Sequence, residues 1–289
     1  MEPVPFQTQS TIQRTLSEHG LAPNRRLGQN FLIDRNLMQK LVEAADLGPG
    51  TLVLEVGGGT GGLTDQLAPR AEQLVVAEAD AGLARLLTTR FEDQTNVEII
   101  HTDILERKHD IAPTVVDKLR SYNDLERFLL VANLPYSIAS PLLINLLTLN
   151  PTVERMVFTI QREVADRIVA NAGTKDFGPL SIALQITCDV QILAKLPPSV
   201  FWPPPKIDSS MLRLDVKKEI TETPDVLKAF LTVVRTAFAH RRKTLRSNIE
   251  SLPTNLNEIV KAHFDVTQRA EQIPLEHWKA LHSIMMGKM

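Results

Sequence analysis

The sequence of 289 residues contains a single cysteine, Cys188. One cysteine excludes an intramolecular disulfide and any zinc or iron–sulfur site built from several cysteines, and it suits a reducing compartment. The seven histidines show no metal-ligand spacing, so we expect no metal. The segment Met1–Leu16 lacks the apolar run of a secretory signal, and we therefore expect a cytoplasmic protein.

Charged residues are missing from one long stretch, residues 128–153, whose 26 positions are nominally enough to cross a bilayer. This stretch contains three asparagines and three prolines, which would break a helix and leave polar groups without partners in lipid. A buried strand, a turn and a core helix explain the stretch better. We therefore expect no membrane association.

A strong excess of positive charge is also missing, since the net charge is −2 and the isoelectric point is about 6.4. The distribution is uneven, however. Residues 1–145 hold 13 Lys and Arg against 19 Asp and Glu, a net charge of −6, whereas residues 146–289 hold 19 against 15, a net charge of +4. This split favours a polyanionic partner held mainly by the second half, although ordinary surface variation also produces such differences.

Short apolar runs alternate with helix-length segments in the first part of the chain, as far as Ile160. Strands that alternate with helices form βαβ units, and continuously apolar strands indicate a parallel sheet covered on both faces. Later runs at 182–193 and 210–214 are interpreted as strands, paired at the sheet edge. The main predicted strands are 52–56, 74–78, 97–101, 128–132 and 156–160, and the predicted helices include 83–90 and 140–149.

The composition changes towards the end of the chain. The proline cluster at 197–205 predicts a rigid extended loop, and the polar residues 216–223 predict a linker. Thr223, Pro224 and Asp225 then form a helix start, with apolar residues at helical spacing as far as Phe238. We expect two domains: an α/β domain over residues 1–217 and a small all-helical domain over residues 218–289.

A glycine-rich loop at residues 55–62 follows the first predicted strand and precedes a helix. Glycines at this point let the backbone turn sharply and let a nucleotide approach its amides. Glu78 ends the second strand, at the spacing from Gly57 that lets a carboxylate bind ribose hydroxyls. A glycine-rich loop alone is often only a turn, but strand, helix and acid together predict a nucleotide-type cofactor site.

Two further strand ends carry polar residues, Asp103 after the third strand and Asn133 after the fourth. Because the carboxyl ends of neighbouring parallel strands meet at one edge of a sheet, Gly57, Glu78, Asp103 and Asn133 are expected to converge. Each residue also has an ordinary interpretation, since Asp103 could cap a helix and the segment Asn133–Tyr136 could be a turn.

Five sequence blocks stand in order along the chain: LGQNFL (27–32), EVGGGTG (55–61), NLPY (133–136), FWPPPKIDS (201–209) and HRRKTL (240–245). Together they resemble the ribosomal RNA adenine dimethyltransferase family, in its bacterial small-subunit branch, and the resemblance covers roughly residues 20–285. Two departures stand out: the loop reads Gly-Gly-Gly-Thr-Gly where the family usually has Gly-Pro-Gly, and about eight extra residues lie within 105–127.

The resemblance implies a Rossmann-like domain that binds S-adenosylmethionine as methyl donor. Asn30 and Leu32 would line the methionine end of the donor and Gly57 its carboxylate side, and Gly59 would also bind the donor. Glu78 would hold the ribose hydroxyls, Asp103 the adenine amino group, and Asn133 the junction of donor and acceptor. For residues 29–32 the sequence alone favours the start of an amphipathic helix.

The segment Asn133–Tyr136 suits methylation of an adenine amine. The N6 lone pair is delocalised into the ring, and the Asn133 amide oxygen and the Leu134 carbonyl can accept its two N–H groups as positive charge develops. Pro135 keeps Leu134 extended, and Tyr136 offers a ring to stack on the flipped base. Phe201 would stack on the opposite face, or else be a core aromatic.

Four cations lie within six residues just after the apolar run of the helix predicted to start at Pro224. Such a density can neutralise several phosphates, so Arg241, Arg242, Lys243 and Arg246 are candidate RNA contacts on a continuation of the helix that starts at Pro224. The ordinary interpretation is a solvated helix end that complements the helix dipole.

The resemblance further implies dimethylation of N6 of two adjacent adenosines near the 3′ end of small-subunit ribosomal RNA. The partner would be a partly assembled 30S particle, and the enzyme a monomer in ribosome biogenesis. Three rivals are less favoured. The complete block at 201–209 and the acidity of the chain argue against a large-subunit methyltransferase. The intact segment 133–136 argues against a non-catalytic RNA-binding factor. An NAD dehydrogenase would leave that same segment unexplained.

Overall fold

The computed structural model describes residues 5–106, 110–135, 138–221 and 223–288. Its contacts divide the chain into two compact units. Unit 1 comprises residues 1–162 and 191–215, and unit 2 comprises residues 163–190 and 216–289. The later change of unit lies close to the boundary predicted after residue 217, but residues 163–190, which the sequence assigns to the first domain, pack with unit 2.

Five parallel strands form the centre of unit 1 and match the five predicted ones to within a residue at each end. Because the side chains of most of these strands are buried on both faces of the sheet, their sequences are continuously apolar. The predicted α/β Rossmann-like class is confirmed. The strands are β2 (Thr51–Val56), β3 (Gln73–Glu78), β4 (Val97–His101), β7 (Arg127–Asn133) and β8 (Arg155–Gln161).

Two later strands complete a sheet of seven. β11 (Ser209–Val216) runs antiparallel to β8, and β9 (Cys188–Leu196) lies beside β11 at the edge. The sheet order is β4-β3-β2-β7-β8-β11-β9. The chain therefore adds β3 and β4 on one side of β2 and then crosses to the other side of β2 to add β7 and β8. This crossing point opens a crevice at the carboxyl ends of the central strands.

Residues 182–187 are helical, although the sequence predicts a strand from residue 182. They belong to α8 (Pro179–Thr187), and the strand β9 begins only at Cys188. A continuously apolar run fits a buried helix as well as a buried strand, and Pro179 at the first helical position favours the helix. Within unit 2, α8 packs against α10 (Pro224–Ala237) and α13 (Leu275–Lys288), which buries both of its faces.

The segment 105–127, within which about eight extra residues are predicted, contributes two short strands and a helix to unit 1 among its described residues. β5 (Leu105–Glu106) pairs antiparallel with β6 (Asp110–Ile111), and α5 (Pro113–Arg120) follows in the chain. The remaining helices of unit 1 are α1 (Gln9–Glu18), α2 (Arg35–Ala45), α3 (Gly62–Leu67), α4 (Ala81–Arg90) and α6 (Ala139–Leu146).

The proline-rich loop contains a short 3-10 turn, Pro198–Val200, which the prediction of an extended loop excludes. A single turn of 3-10 structure needs no long helical run, so the prolines tolerate it. The chain then forms β10 (Phe201–Trp202), which pairs antiparallel with β1 (Phe31–Leu32). The pairing joins two motif blocks, 27–32 and 201–209, that lie far apart in sequence.

Unit 2 is helical over its second segment, as predicted, but the basic residues 241–246 do not continue α10. The helix ends at Ala237, whose carbonyl accepts a 2.6 Å hydrogen bond from Asn248 Nδ2. The backbone N–H of Leu245 donates instead to the carbonyl of Gln268, at 2.7 Å, which draws the chain away from the helix axis. The other helices are α7 (Arg162–Ile168), α9 (Lys218–Thr221), within the predicted linker, α11 (Leu245–Ile249) and α12 (Thr254–His263).

Candidate active site

One cavity lies at the carboxyl ends of the central strands of unit 1, with about 1170 Å³ of space including its mouth. This volume accommodates a nucleotide-sized ligand. The four residues predicted to converge from the strand ends all line this cavity: Gly57, Glu78, Asp103 and Asn133. Tyr136 lies outside the described residues. The predicted site residues that line the cavity are Asn30, Leu32, Gly57, Gly59, Glu78, Asp103, Asn133, Leu134 and Pro135.

The glycine loop between β2 and α3 has a backbone that other residues would strain. Gly57 and Gly59 have φ angles of 80° and 60°, in the left-handed region. At Gly59 an added Cβ would also lie 2.8 Å from the ring of Phe31. Glycine at this position therefore allows both the turn and the close approach of the aromatic side chain.

Gly58 stands where the related family usually has proline, and the surrounding side chains explain how the change is accommodated. An added Cβ at Gly58 would lie 2.6 Å from Val76 Cγ1 and 2.8 Å from Leu87 Cδ1. These two side chains occupy the space that a larger residue would need. Glycine at position 58 is thus accompanied by close packing of Val76 and Leu87 against the loop.

Glu78, at the end of β3, is only 4 % exposed and is anchored through both carboxylate oxygens. Its Oε2 accepts a 2.9 Å hydrogen bond from the backbone N–H of Gly59, and its Oε1 accepts a 2.8 Å bond from that of Asp80. Burial raises the pKa of Glu78, and the hydrogen bonds from the backbone oppose that rise. Each oxygen keeps a lone pair that can accept a hydroxyl of a ligand.

Glu55 is a second carboxyl group at the cavity, and the sequence gives no sign of its state. It is 1 % exposed at the end of β2, and Thr64 Oγ1 donates a 2.8 Å hydrogen bond to its Oε2. Burial raises the pKa of Glu55 to about 8, with the Thr64 hydrogen bond acting in the opposite direction. The Glu55 carboxyl, next to the glycine loop, is therefore mostly uncharged at neutral pH.

Asn133 ends β7 with its side-chain amide held on both sides. Its Nδ2 donates a 2.7 Å hydrogen bond to the backbone carbonyl of Asn30, and its Oδ1 accepts a hydrogen bond from the hydroxyl of Thr159. The sequence does not single out Thr159, because a threonine within an apolar strand is an ordinary β-forming residue.

Other polar groups line the cavity with spare hydrogen-bonding capacity. Gln29 Oε1 accepts a 2.7 Å bond from the backbone N–H of Asn24, whereas its buried Nε2 has no partner among the described residues. Asp103 is exposed, and its Oδ1 accepts a 3.0 Å bond from the N–H of Leu105 in a local turn rather than capping a helix. A nucleotide-type ligand with polar ends fits this set of donors and acceptors.

The N-terminal segment contributes to the same wall, which the sequence does not indicate. Gln7 and Ile12 line the cavity. The side chain of Gln7 forms two hydrogen bonds with Thr60 of the glycine loop. Its Nε2 donates to the Thr60 carbonyl at 3.0 Å, and its Oε1 accepts from the Thr60 hydroxyl at 2.6 Å.

Two predicted RNA contacts, Phe201 and Arg241, have side chains that are engaged within the protein. Phe201 is 3 % exposed and packs in the core of unit 1, so its ring is not presented for stacking. Arg241 forms an ion pair with Glu271, with 2.9 Å between Nη2 and Oε2, and its Nη1 donates to the Lys175 carbonyl at 2.7 Å. The side chains of the other three cations, Arg242, Lys243 and Arg246, are exposed.

The order of the sheet and the cavity at its strand ends are those of a Rossmann-like methyltransferase domain. The comparisons specify the family. The family model described as ribosomal RNA adenine dimethylase matches residues 20–285. The chain belongs to this family, and it is thus an enzyme that dimethylates adenine in ribosomal RNA.

Curated relatives match nearly the full chain. A protein named ribosomal RNA small subunit methyltransferase A, from Geobacillus kaustophilus, is 36 % identical over 286 residues, covering 96 % of each chain. A protein of the same name from Ligilactobacillus salivarius is 40 % identical over 243 residues, covering 84 % of this chain and 80 % of the relative.

Two solved structures have the same fold. A dimethyladenosine transferase from Plasmodium falciparum has a TM-score of 0.67 at 23 % identity and covers 89 % of this chain and 98 % of its own. The 23S rRNA methyltransferase ErmE has a TM-score of 0.60 at 26 % identity, with 89 % and 100 % covered. Among the described residues there is no cluster of three metal-ligating side chains, and no described helix is long and apolar enough to span a membrane.

Proposed function

We propose that this enzyme transfers methyl groups from S-adenosylmethionine to N6 of two adjacent adenosines near the 3′ end of small-subunit ribosomal RNA. The observation that carries the proposal is the convergence of Glu78, Asp103 and Asn133 on one cavity. The full-length similarity to small-subunit methyltransferases supports the choice of RNA.

The donor is proposed to lie along the carboxyl ends of β2, β3 and β4. Glu78 would accept the ribose hydroxyls, Asp103 the adenine amino group, and the backbone of Gly57 and Gly59 would approach the carboxylate side. Asn30 and Leu32 would line the methionine end. S-adenosylmethionine bound there supplies a methyl group on a sulfonium sulfur, which makes the methyl carbon electrophilic.

The acceptor amine is proposed to bind at Asn133. The Oδ1 of Asn133 has a second lone pair besides the one that faces Thr159, and it would accept one N6 hydrogen. The carbonyl of Leu134 would accept the other, with Pro135 aiming it and Tyr136 stacking on the base. These acceptors favour the geometry in which positive charge develops on N6.

The partner is proposed to be a partly assembled 30S particle, with the enzyme acting as a monomer in the cytoplasm, where ribosomes assemble. The helical residues of unit 2 would position the RNA, with exposed cations such as Arg242, Lys243 and Arg246 facing phosphates.

Labelled methyl transfer to purified subunits tests the proposal. Small subunits that lack the modification, fully methylated small subunits and large subunits are offered in parallel, and the labelled nucleotides are mapped. We expect label only in the first, on two neighbouring adenosines. Label on the large subunit would assign the chain to the other branch of the family, and no label on either would overturn the proposal.

A further inference from the structure

Thr159 lies directly opposite Asn133 in the parallel pair β7–β8 and has no exposed surface. Its neighbours along β8, Val157, Phe158 and Ile160, are buried and apolar. A hydroxyl buried among apolar groups costs free energy unless it forms a hydrogen bond. Among the described residues, the hydrogen bond that the Thr159 hydroxyl forms is the one to Asn133 Oδ1.

The direction of this bond follows from the other partner of the amide. The carbonyl of Asn30 can only accept, so the side-chain group of Asn133 that lies 2.7 Å from it must be the nitrogen. The oxygen then faces Thr159, whose hydroxyl must donate. The backbone N–H of Leu134 also bonds to the Thr159 carbonyl, at 3.2 Å, so one residue holds both the side chain of Asn133 and the backbone that follows it.

We propose that Thr159 is a positioning residue for methyl transfer, and that its hydroxyl fixes the rotation of the Asn133 amide relative to the acceptor amine. This inference rests on the proposed role of Asn133. One lone pair of Oδ1 is taken up by Thr159, which directs the second to a defined place. The terminal torsion of asparagine is soft, so without the hydroxyl the oxygen is aligned for less of the time.

Two variants separate the hydroxyl from the shape of the side chain. T159V removes the hydroxyl and keeps the branched form, whereas T159S keeps the hydroxyl. Single-turnover methyl transfer with excess enzyme on unmodified small subunits should be about three- to tenfold slower in T159V. T159S should stay near the wild-type rate. The affinity for S-adenosylhomocysteine and the apparent affinity for the subunit should be unchanged in both.

Thr51 supplies a matched control. It is a fully buried threonine in the same sheet, at the first residue of β2, and its hydroxyl accepts a 3.4 Å contact from the backbone N–H of Gly48. T51V should lose stability to a similar degree as T159V and leave the rate of methyl transfer unchanged. A rate loss in T51V equal to that in T159V would reduce the Thr159 effect to general destabilisation and overturn the inference.

A double variant tests whether Thr159 acts through Asn133. If it does, T159V should have no further effect in an N133A background, whereas an independent structural role would slow both backgrounds by the same factor. A wild-type rate in T159V, or a persistent loss in the N133A background, would overturn this inference alone. A wild-type rate in N133A would overturn the proposed function of the site.

Discussion

The side-chain nitrogen of Asn133 donates a 2.7 Å hydrogen bond to the backbone carbonyl of Asn30, across 103 residues of sequence. The bond joins the block at 27–32 to the segment that begins at Asn133. Since that carbonyl can only accept, the nitrogen of the amide is committed to it, and the oxygen, which accepts one hydrogen bond from Thr159, keeps a lone pair for a second donor. The adenine N6 group is such a donor, with two hydrogens.

Asn133→Ala should depress turnover strongly. Removing one preorganised electrostatic partner of the transition state typically costs about a hundredfold or more in rate, because the interaction matters most as charge develops. Methyl transfer should be measured at saturating donor and RNA, with folding checked by thermal melting. A variant that retained most of its turnover would show that this segment does not carry the methyl transfer.

Glu78→Ala should weaken donor binding by about 1.5–3 kcal/mol, because a carboxylate that accepts ribose hydroxyls is lost. The variant should also melt at a lower temperature, since the N–H groups of Gly59 and Asp80 lose their acceptor. Calorimetry with S-adenosylhomocysteine measures the first effect, with Glu72→Gln on the exposed loop before β3 as the control. If only the melting temperature fell and the affinity held, Glu78 would be an anchor of the loop and not a ligand.

Gln7→Ala should weaken donor binding about two- to tenfold, although the residue precedes the range that the family model matches. Its two bonds to Thr60 hold the glycine loop against the N-terminal segment, and each is worth about 1 kcal/mol. Thr8→Ala is the matched control, because Thr8 caps α1 next to Gln7 but has no place in the cavity wall. Equal effects of the two changes would point to the stability of the segment as a whole.

The strands that hold the cavity could be predicted from the sequence because most of them are buried on both faces and therefore mainly apolar. The same continuous pattern misled at residues 182–187, where Pro179 at the helix start and packing within unit 2 favour a helix. The principle that parallel strand ends converge was enough to bring Glu78, Asp103 and Asn133 together.

The partners of these residues could not be predicted, because they depend on register and on contacts across long stretches of chain. Thr159 reaches Asn133 through strand pairing, and Gln7 reaches Thr60 from a helix-free segment 53 residues earlier. Likewise the ion pair of Arg241 with Glu271 depends on how the turns of unit 2 are folded. The residues that are adjacent in sequence do not indicate such long-range contacts.

The stability of the protein should fall as the pH rises between about 5 and 8, in part because of Glu55. Its pKa is about 8 in the folded state against 4.5 for an ordinary glutamate, so in this range the folded state binds a proton that the unfolded state has released. Stability then decreases by up to about 1.4 kcal/mol per pH unit for this group. Urea unfolding at several pH values gives the slope.

Glu55→Gln should flatten this slope up to about pH 8, since Gln keeps an acceptor for the Thr64 hydroxyl without titrating. Asp65→Asn is the control: burial raises the pKa of Asp65 only to about 6, so this change should flatten only the part below that pH. Identical pH profiles for wild type and Glu55→Gln would mean that Glu55 is ionised in the folded protein at neutral pH.

The basic turn of unit 2 should separate into a structural cation and RNA-binding cations. Arg241 is bound to Glu271 and to the Lys175 carbonyl, whereas Arg242 and Lys243 are exposed and form no ion pair with any of the described residues. The double change of Arg242 and Lys243 to Gln should weaken binding to the small subunit. It should also lower the slope of log affinity against log salt by up to about 0.9 for each phosphate that is no longer neutralised.

Arg241→Gln is the matched comparison, because it removes one charge from the same turn together with an internal ion pair. We expect it to lower the melting temperature of unit 2 and to change the salt slope little. Donor affinity should be unchanged in all variants, because the cavity belongs to unit 1. Phosphate contacts position RNA without reading its sequence, so the double variant should methylate more slowly at the same two adenosines. An unaltered salt slope in the double variant, with a lower melting temperature, would show that the cations only stabilise the turn.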